Sequence, residues 1–446
     1  MTTDVTRVSG RPSFWWGAAT AAYQVEGAVD EGGRGTSIWD TFCAEPGRIA
    51  DGSSGAVACD SYHRWREDLD LLQGLGATAY RFSVAWPRIQ PSGSGPVNQA
   101  GLDYYDRLVD GLLERGIAPF VTLFHWDLPQ ALQDGGGWTS RDTAHRFAAY
   151  ATVVAEALGD RVACWGTLNE PFVHMALGHA FGTHAPGQTL LMEAFPVGHH
   201  QLLAHGLAAQ ALRTASSAPV MLVDNLTPVR AASSSEADLA ATTVYDALHN
   251  KMFLDPVLRG RYPEVLTALA EPVVQEGDLA TIAQPLDLLG VNYYNPTLVQ
   301  APGADNPLPF ELVPLTGAPT TGFGWPVVPE GLTELLVGLR DAYDEALPPV
   351  VVTENGCSYP DEPGPDGTID DPDRIAYLDS HIRAVGTARE AGVDVRGYLT
   401  WSLLDNFEWA DGYQQRFGVT YVDFATGERT PKASYAWLRD RIAQGW

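Results

Sequence analysis

The stretch "VACWGTLNEP", residues 162–171, is an apolar run that ends on an acid, Glu170, directly before a proline. A second apolar run, "PVVVTEN" at residues 349–355, ends in the same way with Glu354. Short runs rich in valine and threonine are typical of buried β-strands. Two buried strands that each end on a glutamate indicate that the two acids meet at one edge of a sheet.

Working outward, strand-like and helix-like runs alternate along the whole chain. Helical spacing of apolar residues, closed by a glycine, marks residues 61–76, 101–116, 142–159 and 374–392. Eight strands joined by helices must be parallel, and eight units favour a closed (β/α)8 barrel over an open doubly wound sheet. The predicted strands are residues 14–20, 77–84, 118–124, 162–168, 218–226, 287–294, 349–355 and 395–404.

The chain of 446 residues exceeds the roughly 250 residues typical of such a barrel. The excess falls in three loops that follow predicted strands, at residues 44–60, 301–326 and 358–373. Neither a linker between two cores nor an internal repeat is visible. The sequence therefore predicts one catalytic barrel domain over residues 1–446, with extended βα loops at its C-terminal rim.

The charge balance excludes two classes of partner. The net charge is −27, and Lys251 and Lys432 are the two lysines. A strongly acidic surface repels phosphate backbones and anionic lipids, so neither nucleic acid nor membrane is expected as a partner. The N-terminal segment "MTTDVTRVSGRPSFWW" does not resemble a signal peptide, and no apolar run is long enough to span a bilayer. A cytoplasmic location is predicted.

The cysteines and histidines predict neither a metal site nor a bound cofactor. Cys43, Cys59, Cys164 and Cys357 show no metal-binding spacing, so free packing thiols are expected, as suits a reducing compartment. The histidine pair at 199–200 has no carboxylate partners at helical spacing. A G-x-G-x-x-G opening after a strand is missing, so no dinucleotide is implied.

In a barrel, Glu170 and Glu354 face one cavity at the C-terminal mouth, where such folds carry their chemistry. Two carboxylates across a pocket are suited to cleaving a glycosidic bond, one as proton donor and the other as nucleophile or base. Retention of configuration needs about 5–5.5 Å between them, and inversion about 6.5–9.5 Å. The sequence leaves that distance open.

Residues beside the acids sharpen this hypothesis. Arg81, at the end of the second predicted strand, and Tyr294, at the end of the sixth, can hold Glu354 ionised and oriented. A neighbouring guanidinium lowers the pKa of a carboxyl group, so the two acids can differ in protonation. Asn169 can bond a sugar hydroxyl next to the reacting carbon. His125, Trp126 and Trp401 offer the aromatic and polar surfaces that a pyranose ring requires.

Seven blocks of sequence follow one another along the chain: "FWWGAATAAYQVEG" (14–27), "YRFSVAWPRI" (80–89), "LFHWDLP" (123–129), "TLNEP" (167–171), "GVNYYNP" (290–296), "VTENG" (352–356) and "WSLLDNFEW" (401–409). In this order they resemble the blocks of glycoside hydrolase family 1 β-glucosidases, and the similarity extends over essentially all 446 residues. The family resemblance implies a retaining mechanism with Glu170 as acid/base and Glu354 as nucleophile.

The resemblance also implies a set of binding residues. Asn292 and Tyr294 fill positions near the acids, while Trp325 and Asn225 lie on the aglycone side. Gln24 and Glu408 would each take a pair of outer sugar hydroxyls. The residues implied to contact the sugar are Gln24, His125, Trp126, Asn169, Trp401, Glu408, Trp409 and Phe417.

One branch of the family cleaves 6-phosphorylated sugars and replaces the position of Glu408 by a small residue, with a phosphate-binding cluster nearby. Here Glu408 is present and no lysine lies near it in the sequence. A carboxylate repels a phosphate dianion, so an unphosphorylated sugar is favoured.

The predicted function is a retaining exo-β-glucosidase that acts on small β-glycosides. Alternatives are a predominantly transglycosylating enzyme, a preference for galactosides or fucosides, and a sugar-binding barrel without turnover. The sequence leaves the aglycone preference and the oligomeric state open.

Overall fold

The computed structural model describes residues 14–445. Residues 1–13, which carry most of the segment behind the signal-peptide prediction, lie outside the described residues. Eight parallel strands hydrogen-bond in chain order, and the eighth closes on the first, so the predicted (β/α)8 barrel is confirmed. The barrel strands are β1 Trp15–Ala19, β2 Ala79–Ser83, β3 Ala118–Phe124, β4 Cys164–Asn169, β5 Val220–Asn225, β6 Leu288–Asn292, β7 Val350–Asn355 and β8 Val395–Trp401.

The barrel strands are buried on both faces, which explains why their sequences do not alternate between apolar and polar residues. The ends of β7 and β8 approach so closely that a Cβ added at Gly356 would lie 1.7 Å from the carbonyl oxygen of Trp401. One apolar cluster draws members from all eight strands: Trp15, Ala79, Phe120, Cys164, Met221, Val223, Leu288, Val351 and Leu399. This packing makes the barrel interior a core, so the cavity for chemistry lies at the strand ends.

Within residues 14–445, eight outer helices surround the barrel: α1 Ser61–Leu75, α2 Gln99–Glu114, α3 Asp142–Leu158, α4 Phe195–Ala215, α5 Met252–Arg259, α6 Pro329–Tyr343, α7 Pro372–Glu390 and α8 Ala433–Gln444. The four helical patterns predicted from sequence are confirmed as α1, α2, α3 and α7. Neighbouring helices pack side by side, and α8 lies against both α7 and α1.

Shorter helices and two small sheets build the connections, and the sequence analysis did not predict the sheets. One sheet joins Val229–Ala231, Thr297–Gln300 and Glu311–Val313; the other joins Thr420–Val422 and Arg429–Pro431. The short helices are Ala22–Val25, Ile38–Ala44, Trp86–Ile89, Gln130–Asp134, Gly137–Thr139, Pro171–Val173, His174–Ala180, Leu191–Ala194, Glu236–Asp246, Ala247–Lys251, Glu264–Leu266, Thr267–Ala270, Asp278–Ile282, Asp344–Ala346 and Trp409–Asp411.

A buried ion-pair network ties the rim loops to the start of α8. Lys432 donates to Asp405 at 2.7 Å and also contacts Asp361. Arg374, from α7, contacts Asp361 at 2.6 Å and pairs with Asp371. These side chains are at most 4% exposed, so the network is buried and fixes the loops after β7 and β8 to the start of α8.

Within residues 14–445 no helix is both long enough and apolar enough to cross a membrane. Cys43, Cys59 and Cys357 have free thiols, as the sequence predicted, and Cys164 packs in the barrel interior.

Candidate active site

The C-terminal ends of the strands carry the two acids to one place. Glu170 directly follows β4, and Glu354 is the penultimate residue of β7. Glu170 has φ 45°, and Trp126 and Trp409 nearby have φ 76° and 46°, in the left-handed region. A non-glycine residue in this region costs of order 1–3 kcal/mol and is found preferentially at functional sites.

Glu354 is paired with a cation. Arg81 donates to one carboxylate oxygen, and the Tyr294 hydroxyl donates to the other at 3.0 Å. Burial raises the pKa of Glu354, while Arg81 and Tyr294 act against that rise by stabilising the charged form. Arg81 is the third residue of the five in β2 and Tyr294 lies two residues beyond β6, so neither ends its strand as the sequence predicted. Their predicted contact with Glu354 is present.

Glu170 has neutral partners instead. Its Oε1 accepts from Asn292 Nδ2 at 2.8 Å and from Asn225 Nδ2 at 3.2 Å. Burial and then the negative charge of Glu354 raise the pKa of Glu170 to about 8. Asn225, which the sequence analysis placed on the aglycone side, therefore contacts the carboxylate itself. Of the two acids, Glu170 is the one suited to carry a proton near neutral pH.

Asn169 links the two halves of the site. Its Oδ1 accepts from Arg81 at 2.7 Å and from Asn292 at 3.1 Å. Its Nδ2 donates to His125 Nε2 at 2.9 Å, and its main-chain oxygen accepts from Trp126 Nε1 at 2.9 Å. These contacts fix the amide, because Oδ1 faces two donors and Nδ2 must face an acceptor.

The bond from Asn169 also fixes the tautomer of His125. Since Nε2 accepts, the proton is on Nδ1, and burial, then the charge of Arg81, holds the pKa of His125 well below its usual range. The ring is therefore neutral with an N–H at Nδ1. That atom is buried and has no hydrogen-bond partner among residues 14–445, so it is available to donate to a ligand.

Gln24 presents the complementary acceptor. Its Nε2 donates to Phe407 O at 2.9 Å, to Asn406 Oδ1 at 3.1 Å and to Glu408 Oε2 at 3.3 Å. Its Oε1 is buried without a partner in the described part of the chain. Burial raises the pKa of Glu408 well above its usual range, with further contributions from Asp411, Glu354 and Glu170. Gln24 and Glu408, which the family resemblance implies as contacts for outer sugar hydroxyls, thus form one polar wall.

A cavity of about 510 Å³ joins these groups, a size that accommodates a small ligand. Four predicted site residues, Gln24, Arg81, Asn169 and Asn292, are not among the lining residues. Arg81, Asn169 and Asn292 act through the bonds above, while Gln24 has one buried oxygen unpaired beside Glu408, which lines the cavity. The predicted residues that line it directly are His125, Trp126, Glu170, Asn225, Tyr294, Trp325, Glu354, Trp401, Glu408, Trp409 and Phe417.

Two groups of aromatic rings line the cavity. Trp126 and Trp409 lie 4.7 Å apart between ring centroids, and Trp401 stacks on His125 at 6.0 Å. In the second group, Trp325 lies 4.4 Å from Phe323 and 6.0 Å from Phe417. Flat faces beside polar groups match the CH faces and hydroxyls of a sugar.

Comparison with known proteins decides the family. The Glycosyl hydrolase family 1 model matches residues 9–445. The chain belongs to glycosyl hydrolase family 1. It is 48% identical to the bifunctional β-D-glucosidase/β-D-fucosidase of Bifidobacterium breve, with 96% of this chain and 97% of that protein covered. It is 50% identical to thermostable β-glucosidase B of Thermobispora bispora, with 96% and 89% covered.

Solved structures agree. The family 1 β-glucosidase of Thermotoga maritima matches with a TM-score of 0.93 and 43% identity over 97% of each chain. The psychrophilic β-glucosidase BglU of Micrococcus antarcticus matches with a TM-score of 0.93 and 46% identity, covering 97% of each chain. As a family 1 member, the protein is a glycoside hydrolase, so the predicted family and enzyme class are confirmed.

Some residues of this family 1 site were not found from the sequence. Phe323 lies two residues from Trp325, and Asn406 lies two residues from Glu408 inside the block 401–409, so their positions were a usable signal. His184 and His249 also line the cavity but stand in stretches without a motif. In the region from residue 14 to 445, no group of three or more His, Cys, Asp or Glu side chains is arranged to hold a metal ion.

Proposed function

We propose that the protein is a retaining exo-β-glucosidase that releases terminal β-D-glucosyl units from short oligosaccharides or from aryl and alkyl glucosides. One observation carries this proposal: two buried carboxylates line one cavity and have opposite partners. Glu354 contacts the guanidinium of Arg81, whereas Glu170 contacts the neutral amides of Asn225 and Asn292. This asymmetry suits one ionised acid and one protonated acid.

The two roles follow from that asymmetry. Glu354 attacks the anomeric carbon while Glu170 gives its proton to the leaving oxygen, which produces a covalent glycosyl-enzyme and a free aglycone alcohol. Glu170, now ionised, takes a proton from water as the water attacks the same carbon and displaces Glu354. Two displacements retain the β configuration, as is general in the family.

The remaining contacts support a neutral sugar. Unpaired buried atoms of His125 and Gln24 offer a donor and an acceptor for hydroxyls, next to the carboxylate of Glu408. Both lysines are engaged in ion pairs, Lys251 with Asp246 and Lys432 with Asp361 and Asp405, and neither lines the cavity. A cavity lined by the acids Glu170, Glu354 and Glu408, without a lysine, disfavours a phosphorylated sugar.

Fucoside cleavage stands as a second candidate activity, because a relative 48% identical is named a bifunctional β-D-glucosidase/β-D-fucosidase, whereas galactoside cleavage stays a prediction from the sequence. Transglycosylation uses the same site with a sugar acceptor in place of water. The intact acid pair argues against a barrel that binds sugar without turnover.

The test is hydrolysis of p-nitrophenyl β-D-glucoside, with the configuration of the first-released sugar followed by NMR. We expect β-glucose first, and Glu354→Gln should lose several orders of magnitude in kcat, as removal of a nucleophile does. Glu345→Gln is the matched control, since Glu345 is exposed in the segment Asp344–Ala346. First release of α-glucose, or full activity in Glu354→Gln, would contradict the proposal.

We also propose that residues 1–446 form one domain and that the protein acts in the cytoplasm without nucleic-acid or membrane partners. The contacts of α8 with α7 and α1 support one domain, because the last helix completes the helical layer. The free thiols of Cys43, Cys59 and Cys357 suit a reducing compartment, and the net charge of −27 disfavours anionic partners.

A further inference from the structure

Asn225 is held on its far side by a histidine. Its Nδ2 donates to Glu170 Oε1, while its Oδ1 lies 3.1 Å from His249 Nε2. The same histidine nitrogen lies 3.1 Å from the main-chain oxygen of Asn225. His249 is only 7% exposed, and the chemistry proposed above does not use it.

The two oxygens of Asn225 determine which nitrogen of His249 carries the proton. Both oxygens near Nε2 are pure acceptors, so Nε2 must be the donor. Nδ1 is then an acceptor for the Tyr245 hydroxyl, 3.0 Å away. Burial lowers the pKa of His249 to about 4 and raises that of Tyr245 to about 12, so the ring is neutral and the hydroxyl keeps its proton near neutral pH.

Packing keeps both side chains in place. His249 lies in the π-helical segment Ala247–Lys251, and its ring stacks on Phe172 at 4.0 Å. The Tyr245 ring packs at 5.0 Å against Phe310 and lines a second, mainly apolar cavity of about 320 Å³. A π-turn inserted between the helices Glu236–Asp246 and Met252–Arg259 is a feature common at functional sites.

We propose that Tyr245 and His249 are positioning residues that hold the Asn225 amide with its nitrogen toward the carboxylate of Glu170. The hydrogen bonds run in one direction, from the Tyr245 hydroxyl through His249 and Asn225 to Glu170. If the amide of Asn225 turned over, its oxygen would face Glu170 and repel the ionised carboxylate. This inference rests on the proposed role of Glu170 as acid and base.

The consequence of this hydrogen-bond chain is a lower pKa of Glu170. A donor to a carboxylate stabilises its charged form, and Asn225 lowers the pKa of Glu170 against the effect of burial. Near His249, Asp246 is the charged neighbour that acts on it. The charged or titratable groups that face Glu170 are Arg81 from β2, Tyr294 after β6, Glu354 from β7 and Glu408 after β8.

The experiment measures the alkaline limb of the pH profile of kcat/KM, which reports the proton on Glu170 in the free enzyme. His249→Phe keeps the stack on Phe172 and removes both ring nitrogens, so the limb should move up by about 0.4 to 1 pH unit. Tyr245→Phe should move it in the same direction by less. His249→Gln restores an N–H donor near the Nε2 position and should return the limb toward its original pH.

Two comparisons separate positioning from a general loss of packing. Asn225→Ala should give the same shift as His249→Phe, and the double variant should shift no further, because both act through one contact. Tyr262→Phe is the matched control, since it removes a hydroxyl 2.8 Å from Nδ1 of His199 in the outer helical layer. Tyr262→Phe should leave the limb in place.

The proposal would be overturned if His249→Phe left the alkaline limb in place while Asn225→Ala moved it. It would also be overturned if the two shifts added in the double variant. The pKa of Glu170 is also read without turnover, by a carboxyl ¹³C titration assigned with Glu170→Gln. If the unmodified protein cleaves no β-glycoside, the proposed function fails. The titration of His249→Phe then decides the positioning role by itself: a raised pKa supports it and an unchanged pKa overturns it.

Discussion

The guanidinium of Arg81, from β2, lies against the carboxylate of Glu354, from β7, and the two side chains are 1% and 4% exposed. The second Arg81 nitrogen bonds Asn169, the neighbour of Glu170. One cation therefore neutralises the proposed nucleophile and orients the residue beside the proposed acid. A buried pair of this kind is costly to break from one side, because the remaining charge is left without a partner.

Arg81→Met should move the acidic limb of kcat/KM to higher pH. Without the guanidinium, burial raises the pKa of Glu354 against only the hydrogen bonds of Tyr294 and Asn292, so the ionised form needed for attack appears only at higher pH. The pH profile with p-nitrophenyl glucoside measures this. Arg429→Met is the control, because Arg429 forms an equally buried pair with Asp68 that does not contact Glu354. A limb that moves equally in both variants would refute the specific effect.

Activity should fall as the pH rises through about 8, where Glu170 loses its proton. The sign follows from its role, since the leaving oxygen needs a donor and the deprotonated acid cannot supply one. Glu170→Ala should lose far more activity on alkyl glucosides than on dinitrophenyl glucoside, whose leaving group needs little protonation. Equal losses on both substrates, relative to Glu345→Gln, would argue against Glu170 as the acid.

Glu408→Gln should reduce kcat/KM for glucosides by about 10- to 150-fold, which corresponds to one charge-assisted hydrogen bond. Glu408 lies in the polar wall with Gln24, and a carboxylate accepts hydroxyl bonds that a carboxamide only partly replaces. Steady-state kinetics of the variant and of Glu428→Gln, which alters an exposed glutamate, provide the measurement. An unaffected Glu408→Gln enzyme would place the sugar elsewhere in the cavity.

Trp325→Ala should weaken cleavage of aryl glucosides without slowing hydrolysis of the glycosyl-enzyme. The Trp325 ring lines the cavity with Phe323 and Phe417 and is proposed to contact the aglycone, which has left before the second step. Pre-steady-state release of p-nitrophenol separates the two steps. A slower second step with a normal first step would contradict this assignment.

Lys432→Met should destabilise the protein by about 3–5 kcal/mol, because Asp405 and Asp361 would remain buried without this cation. Urea unfolding measures the loss. Lys251→Met is the control, since Lys251 is 44% exposed and its pair with Asp246 contributes little. Equal stability of the two variants would show that Arg374, paired with Asp361, and Arg416, paired with Asp405 at 2.8 Å, hold the network without Lys432.

The barrel was predictable because its information is local. Each strand is an apolar run of five to seven residues, and each of the four predicted helices, α1, α2, α3 and α7, shows helical periodicity and ends within two residues of a glycine. The two glutamates were predictable for the same reason, since strand ends of a parallel barrel converge at one rim. Motif blocks then supplied Gln24, Glu408 and the tryptophans.

Contacts between distant loops were less accessible. The sequence places Asn225 beside a strand end but does not say whether its amide faces the aglycone or Glu170; the structure shows the second. His249 lies in a helical stretch, and no sequence pattern predicts its π-helical segment. The small sheet of residues 229–231, 297–300 and 311–313 is missed because its strands are short and far apart in the chain.

The rings of Phe323 and Trp325 belong to the long connection between β6 and α6, whereas both acids stand on barrel strands or next to them. The proposed contacts with the leaving group and the two proposed catalytic acids thus lie in separate segments of the chain. Replacing this connection by that of a relative should transfer the relative's preference for the leaving alcohol, while the rate of glycosyl-enzyme hydrolysis should stay the same.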